Sequence, residues 1–223
     1  MILHTSIIAG VDEAGRAPLA GPVAAGACVL PCKMIKRRQG LVWKSWRPEG
    51  PSKSCIIADS KRLTALEREI AYEWIVKNCA WGLALVEAEI IDEIGILAAN
   101  ERAMQEAVSM LARTVKPTML FVDGRDKFWF DYPHISIVDG DALEPCIAAA
   151  SIIAKVTRDR RMIEEHKKYP HYNFAKHKGY PTNEHYEAIR KHGLCPLHRK
   201  SFLKNFALPR GKSLSALQST GIL

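Results

Sequence analysis

The sequence lacks several features that would assign it to common classes of protein. Its six cysteines form no Cys-x-x-Cys pair and its eight histidines show no His-Glu-x-x-His spacing, so a zinc site is not expected. No apolar run approaches the ~20 residues of a membrane-spanning helix. There is no internal repeat, and no charged-then-apolar signal precedes a small-residue cleavage site. We therefore expect a cytoplasmic protein in a reducing compartment, with no membrane partner.

Negative charge is also in short supply. The 223 residues include 32 Lys and Arg against 24 Asp and Glu, which gives a formal net charge of +8. Such a surface attracts polyanions, so nucleic acid is the leading class of partner, although an ordinary basic protein has the same balance. The length suits one large domain with a substantial core.

Short apolar runs alternate with amphipathic stretches along the chain. Five runs are typical of strands: 6–11, 22–30, 81–88, 118–122 and 134–138. Four helices are predicted: one that begins at the capping-box pair Thr64 and Glu67, and others over 96–113, 145–168 and 183–192. The spacing places Leu66 and Leu97 on the buried faces of the first two helices. This alternation indicates an α/β fold.

Three segments depart from the alternation. Residues 32–54 mix basic residues, Pro, Gly and two Trp, and predict an irregular insertion that is either an extra nucleic-acid surface or a solvated loop. Residues 169–206 predict a C-terminal helical subregion laid over the sheet. Most of the eight histidines of the chain are expected at the surface. Residues 207–223 are Ser-rich and weakly patterned, which predicts a disordered tail.

Acidic residues stand at the ends of three predicted strands: Asp12 with Glu13, Asp123, and Asp141. Loops at strand ends converge in an open α/β sheet, so these side chains are expected to meet at one edge. Oxygen ligands favour Mg²⁺ or Mn²⁺, and two such ions suit phosphodiester hydrolysis. Taken singly, each acid could instead favour the turn after its strand.

Six motifs occur in order between residues 6 and 206: GVDEAGRAPLAGPV, ADSKRLT, FVDG, GDALEPCIAAASIIAKVTRDR, HKGYPTNEH and HRKSF. Together they closely resemble the bacterial type 2 ribonuclease H family. The resemblance implies one catalytic domain over 1–206, with a ribonuclease H-like mixed sheet flanked by helices and a C-terminal helical extension. It also implies a metal-dependent endoribonuclease that cleaves the RNA strand of RNA–DNA hybrids. Cleavage 5′ to single ribonucleotides in duplex DNA is implied as well, with 5′-phosphate and 3′-hydroxyl ends.

The resemblance assigns roles to the acids. The family's metal-binding and catalytic acids fall on the four already named, Asp12, Glu13, Asp123 and Asp141, which would hold two Mg²⁺ or Mn²⁺ ions. Asp159 lies among arginines in a predicted helix and is interpreted as part of a helical ion pair.

A recognition segment is also implied. The family's glycine-arginine-glycine segment resembles Gly15-Arg16-Ala17, whose backbone would approach ribose 2′-hydroxyls. Ala17 departs from the family pattern. Pro18 favours a negative φ at that position, which alanine adopts without strain, so the contact is expected to survive.

Four further positions match substrate contacts of the family. Tyr180 would stack on the deoxyribose after the ribonucleotide, or else anchor its own loop. Lys61, Ser151 and Lys155 suit phosphate contacts, and Lys155 could instead be a solvated helix lysine. The HRKSF motif matches the family's closing motif without a role that the sequence reveals.

Two other functions stay open at this point. A type 3 ribonuclease H has a similar catalytic domain but needs longer RNA stretches, and it carries an N-terminal domain, whereas here the first motif begins close to Met1. A catalytically silent hybrid-binding module is the second, against which all four acids are present. The expected partners are RNA–DNA hybrids and DNA that contains ribonucleotides, bound by a monomer.

Overall fold

The computed structural model describes residues 6–31, 55–204 and 206; the predicted insertion over 32–54 and tail over 207–223 lie outside them. Within the described residues the chain forms a five-stranded mixed sheet in the order β3-β2-β1-β4-β5. The strands are β1 Ile8–Ala14, β2 Val23–Val29, β3 Ala80–Val86, β4 Met119–Asp123 and β5 His134–Ile137. β2 is antiparallel to both β1 and β3, whereas β4 is parallel to both β1 and β5. The predicted α/β class with a mixed sheet is confirmed.

Helices lie on both faces of the sheet. In the described part of the chain they are α1 Ala65–Asn78, α2 Ala88–Ile94, α3 Ile96–Ala112, α4 Gly140–Leu143, α5 Pro145–Lys168, α6 Phe174–His177 and α7 Asn183–His192. The four predicted helices correspond to α1, α3, α5 and α7, and Thr64 and Glu67 form the predicted reciprocal capping box. No helix among the described residues is long and apolar enough to cross a membrane.

α5 packs against β1 and β2 at backbone contact. A Cβ added at Gly10 would lie 2.1 Å from the carbonyl carbon of Cys146, and one at Gly26 would lie 2.3 Å from the carbonyl oxygen of Ala150. Such distances leave no space for any side chain at either glycine. The Ala-rich sequence at the start of α5 therefore does what its small residues predict, which is to let the helix lie directly on the sheet.

Two predicted core residues are exposed. Leu66 is 70% exposed and Leu97 is 52% exposed. Each lies in the first turn of its helix, ahead of the residues that begin the buried face, Ala71 in α1 and Ala99 in α3. Helical spacing identifies a face of the helix but does not show where along the helix its packing partner begins.

The C-terminal subregion does not lie over the sheet as predicted. It forms a small apolar core of its own with the turn after β1 and the later part of α5, in which Leu19 and Met162 contact Phe174 and other residues of the subregion. An isolated bridge joins Ala20 to His198. Helices α3, α1 and α5 already cover the apolar faces of the sheet, so the subregion packs at its end.

Candidate active site

The first two acids lie inside β1 rather than after it. The strand continues through Asp12 and Glu13 to Ala14, beyond the predicted end at Val11. The reason is the antiparallel partner, because both acids pair in register with residues of β2. Acids are poor strand formers, so this extension depends on long-range pairing rather than on local preference.

Adjacent residues in a strand point to opposite faces of the sheet. Asp12 interacts with Ser151 of α5, whereas Glu13 interacts with Asn100 of α3. The two carboxyls therefore approach the edge of the sheet from different sides.

The other two acids reach the same edge. β4 lies beside β1 and ends at Asp123, and Asp141 lies in α4, shortly after β5. Asp12 and Asp141 are each only 4% exposed. The structure thus brings Asp123 and Asp141 close to the adjacent pair Asp12 and Glu13, at the carboxyl ends of its parallel strands.

Burial and mutual repulsion raise the pKa of three of these acids. Burial raises the pKa of Asp12 well above its usual value, and the charges of Glu13 and Asp123 raise it further. Burial also raises the pKa of Glu13, against the opposing effect of the Arg16 guanidinium. For Asp123, burial and then the charge of Asp141 raise the pKa. Ionised together, these groups favour any cation that comes close.

Three of the acids already accept hydrogen bonds, and Asp12 Oδ1 accepts the N–H of Glu13 at 2.7 Å. Lys61 Nζ donates to Asp141 Oδ2 at 3.1 Å, and the N–H of Gly140 donates to Asp123 Oδ1 at 2.7 Å. Partial burial works to lower the pKa of Lys61, but the hydrogen bond and charge of Asp141 outweigh it, so the pKa is raised. A lysine side chain that is itself 77% exposed is thus attached to the acid cluster.

The donor set fits a divalent cation by its chemistry. Carboxylate oxygens are the ligands that Mg²⁺ and Mn²⁺ prefer. As the side chains are arranged, however, no three His, Cys, Asp or Glu residues in the described ranges are close enough to hold one ion. The four acids are neighbours rather than a closed chelate, so binding a cation would require some carboxylates to turn inward.

The predicted phosphate contacts on α5 differ in their surroundings. Ser151 is 4% exposed, and its hydroxyl lies 2.9 Å from that of Ser60. Lys155 Nζ donates to Asp159 Oδ1 at 2.8 Å, which confirms the interpretation of Asp159 as part of a helical ion pair. Lys155 Nζ also lies 5.8 Å from the ring centroid of Tyr180, so this lysine of α5 is next to the predicted stacking residue.

Tyr180 presents its ring at the surface of the same region. The side chain is 37% exposed, and the Arg158 guanidinium lies 5.8 Å from its ring centroid. Two cations therefore support a partly exposed aromatic ring, a combination that suits contact with a nucleotide.

The turn after β1 has a defined conformation. Gly15 has a φ of +97°, which a residue with a side chain would adopt only under strain. Ala17 is exposed and, as predicted, is not among the residues with positive φ. The Arg16 side chain lies 3.5 Å from Glu13 and 2.7 Å from Asp126.

Two arginines that the sequence did not single out hold this turn from behind. Arg199 donates to the carbonyl oxygens of Gly15 at 2.7 Å, Arg16 at 2.9 Å and Gly21 at 3.0 Å. Arg158 donates to two further carbonyls of the turn, those of Pro22 at 2.9 Å and Ala20 at 3.1 Å. Both side chains are fully buried, and burial lowers the pKa of Arg199 to about 9. Arginine is rarely buried, so only the contacts reveal this role.

Three histidines are buried and are exceptions to the surface position predicted for most of them. His198 Nδ1 accepts the N–H of Cys195 at 2.9 Å, so its proton is on Nε2, which lies 3.1 Å from His185 Nε2. His185 then carries its proton on Nδ1, 3.0 Å from the carbonyl oxygen of Tyr180. His177 is buried beside them. Two neutral histidines thus connect the backbone of Cys195 to that of Tyr180.

Comparisons with known sequences identify relatives along most of the chain. The family model described as Ribonuclease HII matches residues 48–205, which include Asp123 and Asp141. Ribonuclease HII of Acetivibrio thermocellus is 48% identical over 201 residues, which cover 90% of this chain and 71% of that protein. Ribonuclease HII of Syntrophus aciditrophicus is 47% identical over 197 residues, with coverage of 88% and 84%.

Solved structures share the fold. Ribonuclease H2 from Pyrococcus horikoshii OT3 superposes with a TM-score of 0.62 at 29% identity, over 87% of this chain and 92% of that one. A chain of the PCNA:RNase HII complex from Archaeoglobus fulgidus superposes with a TM-score of 0.68 at 23% identity, over 94% and 100%. The sequence relatives define the class as hydrolytic endoribonucleases, and the solved structures share a ribonuclease H-like fold. The chain belongs to the ribonuclease HII family, and its activity is that of a ribonuclease H on RNA–DNA hybrids.

Proposed function

We propose that this protein cleaves the RNA strand of RNA–DNA hybrids and also cuts 5′ to single ribonucleotides embedded in duplex DNA. In this proposal the chain acts as a monomer and leaves 5′-phosphate and 3′-hydroxyl ends. The observation that supports it is the convergence of Asp12, Glu13, Asp123 and Asp141, with raised pKa values at three of them, at the edge of a ribonuclease HII fold.

The four acids would hold two divalent cations, Mg²⁺ or Mn²⁺. When bound, the cations supply an activated water and charge stabilisation for the departing 3′ oxygen. The carboxylates would hold the cations in place and neutralise their charge. The repulsion among the carboxylates without cations favours this binding. Lys61, released from Asp141, is placed to contact a phosphate of the substrate, as are Ser151 and Lys155 in this proposal.

Recognition of the ribonucleotide is assigned to the turn after β1. The backbone of Gly15, Arg16 and Ala17 would contact the 2′-hydroxyl, which is the group that distinguishes RNA from DNA. Ala17 is exposed. The backbone of this segment is therefore accessible to a substrate despite the methyl group of Ala17. Tyr180 would supply the stacking surface on the following deoxyribose.

The test uses two duplexes, one with a single ribonucleotide in DNA and one continuous RNA–DNA hybrid, each with Mn²⁺ or Mg²⁺. Cleavage of both by the wild type, and of neither by Asp123→Asn, is expected. Asp131→Asn is the matched control, because Asp131 is an exposed acid to which the proposal gives no role, and it should cleave both duplexes as the wild type does.

Other results would point to the rival functions. Cleavage of the continuous hybrid alone would withdraw single-ribonucleotide recognition and favour a type 3-like specificity. Binding of both duplexes without cleavage of either would favour a silent binding module. Full activity of Asp123→Asn would remove the assigned role of the acids.

A further inference from the structure

Asn100 is a buried polar residue without an obvious structural purpose. Its side chain is 0% exposed in α3, and neither its amide nitrogen nor its oxygen has a hydrogen-bond partner within the described part of the chain. Its neighbours along the buried face of α3, Ala103 and Met104, belong to the apolar core. An unpaired buried amide destabilises a fold, and an apolar residue of the same size would not. Packing alone therefore does not account for asparagine at this position.

The amide faces Glu13. Val11 of β1 lies in the same core cluster as the buried residues of α3, and Glu13, two residues further along the strand, points to the same face. Asn100 acts on the Glu13 carboxyl as a donor would, against the effect of burial on its pKa. The contact nevertheless falls short of hydrogen-bond geometry. The two groups are therefore neighbours without a hydrogen bond between them.

The second donor near Glu13 is committed elsewhere. Arg16 Nη1 lies 3.5 Å from Glu13 Oε1 but 2.7 Å from Asp126 Oδ2. An ionised carboxylate accepts several hydrogen bonds. Arg16 approaches from the turn after β1 with a side chain that is 38% exposed, whereas Asn100 is buried and approaches from α3, which packs on the sheet. A donor on a packed helix fixes the direction of a carboxylate better than one on a turn.

We propose that Asn100 is the positioning residue of Glu13: its side-chain N–H donates to the Glu13 carboxylate and holds it toward the other three acids. This inference rests on the proposed function, because the direction of the Glu13 carboxylate matters only if Glu13 is one of the four acids that hold the cations. Hydrogen bonds of this kind are often long before the reactive complex forms and shorten within it. The unpaired buried amide then lowers the stability of the fold and is present because it orients Glu13.

Two nearly isosteric variants test the assignment. Asn100→Leu removes the unpaired amide, so its thermal midpoint without divalent cations should rise by about 2–4 °C. Its Mn²⁺ affinity, measured by titration calorimetry, should fall by about 10- to 100-fold, as for other groups that orient a ligand. Asn100→Asp keeps an oxygen but replaces the donor with a like charge, so it should lose Mn²⁺ affinity as well. Asn78→Leu, an exposed asparagine of α1, is the control for both measurements.

Greater stability together with weaker Mn²⁺ binding is a result that a merely structural asparagine would not give. A lower midpoint for Asn100→Leu, or wild-type Mn²⁺ affinity and turnover in it, would overturn the proposal. Wild-type Mn²⁺ affinity in Asn100→Asp would also overturn it, because the N–H would then be dispensable. Glu13→Gln distinguishes failure of the proposed function from failure of the positioning role. If this variant binds Mn²⁺ and turns over as the wild type does, the assigned role of Glu13 is wrong. If only Glu13→Gln is impaired and Asn100→Leu is not, the positioning role alone fails.

Discussion

The Arg199 guanidinium donates to the carbonyl oxygen of Gly15 at 2.7 Å, across 184 positions of the chain. With its bonds to Arg16 and Gly21, this contact makes the C-terminal subregion the rear support of the turn whose front is proposed to meet the substrate. The HRKSF motif, whose sequence alone suggested no role, is thereby connected to the candidate active site.

Arg199→Met is expected to lower the free energy of unfolding by about 3 kcal/mol, because it leaves three buried carbonyls without their charged donor. Urea denaturation measures this loss. Cleavage at a single ribonucleotide should fall more than cleavage of a continuous hybrid, since the turn assigned to the 2′-hydroxyl loses its support. Arg190→Met, which breaks an exposed ion pair with Glu187, should change stability by less than about 0.5 kcal/mol. Equal stability of the two variants would contradict the supporting role.

Asp123→Asn should separate stability from turnover. Folding raises the pKa of Asp123, so its ionisation at neutral pH costs stability, and the amide removes that cost while its oxygen still accepts the Gly140 N–H. Without divalent cations we expect the thermal midpoint to rise by about 2 °C. Turnover should fall at least about 100-fold. Mn²⁺ should raise the midpoint of the wild type more than that of the variant, and an equal rise in both would argue against Asp123 as a ligand.

Mild acid should destabilise the protein through its histidines. Folding lowers the pKa of His185 to about 4 and that of His198 to about 3, in each case chiefly by burial. At pH values between these two and the ordinary histidine pKa, the unfolded chain therefore binds protons that the folded chain does not. This contribution to stability is complete above about pH 6.5 and falls as the pH decreases, by up to about 1.4 kcal/mol per pH unit for each histidine.

Urea midpoints at pH 7, 6 and 5 measure that slope. His198→Asn keeps an acceptor for the Cys195 N–H and removes the titrating ring, so its slope should be shallower. His134→Asn, at an exposed position, should keep the wild-type slope. The acids whose pKa is raised act in the opposite direction in the wild type and in both variants, so a His198→Asn slope equal to that of the wild type would show that the buried histidine does not control acid stability.

Tyr180→Ala should raise KM for both duplexes by about tenfold or more, because stacking of an aromatic ring on a nucleotide contributes about 1–3 kcal/mol. Tyr180→Phe keeps the ring and should keep KM within about twofold of wild type. The turnover number should change less than KM, since the ring is distant from the reacting phosphate in the proposed arrangement. If Tyr180→Ala has the wild-type KM, Tyr180 anchors its loop and does not stack.

Strongly patterned elements were predictable from the sequence. α5 and α7 begin and end at the predicted residues because a Pro or a cap starts each one and a single periodic pattern continues through it. β1 was predicted too short, because its pairing with β2 depends on a distant segment. The predicted burial of Leu97 is wrong for a similar reason, because burial of a helical turn depends on which residues pack against it.

The residues of the candidate active site also fall into those that the sequence predicts and those that it does not. Acids such as Asp12 and Asp141 attract attention by residue type and position, so their convergence could be expected from the sequence. Arg199 and Asn100 have types that are common on surfaces, and their importance lies in partners far away along the chain. Residues that support a site from behind are therefore the ones that a single sequence conceals.

The span between Arg199 and Gly15 also bears on the order in which the protein matures during its synthesis. A nascent chain that has emerged through α5 possesses all four acids and the strands that carry them, whereas the donor to the carbonyl oxygens of Gly15, Arg16 and Gly21 is still to come. Domains acquire their long-range contacts only when the later partner is available. The acid cluster is therefore complete in the growing chain while the turn has only the donors of Arg158, and the later-translated Arg199 completes the support of the turn that is proposed to contact the ribonucleotide.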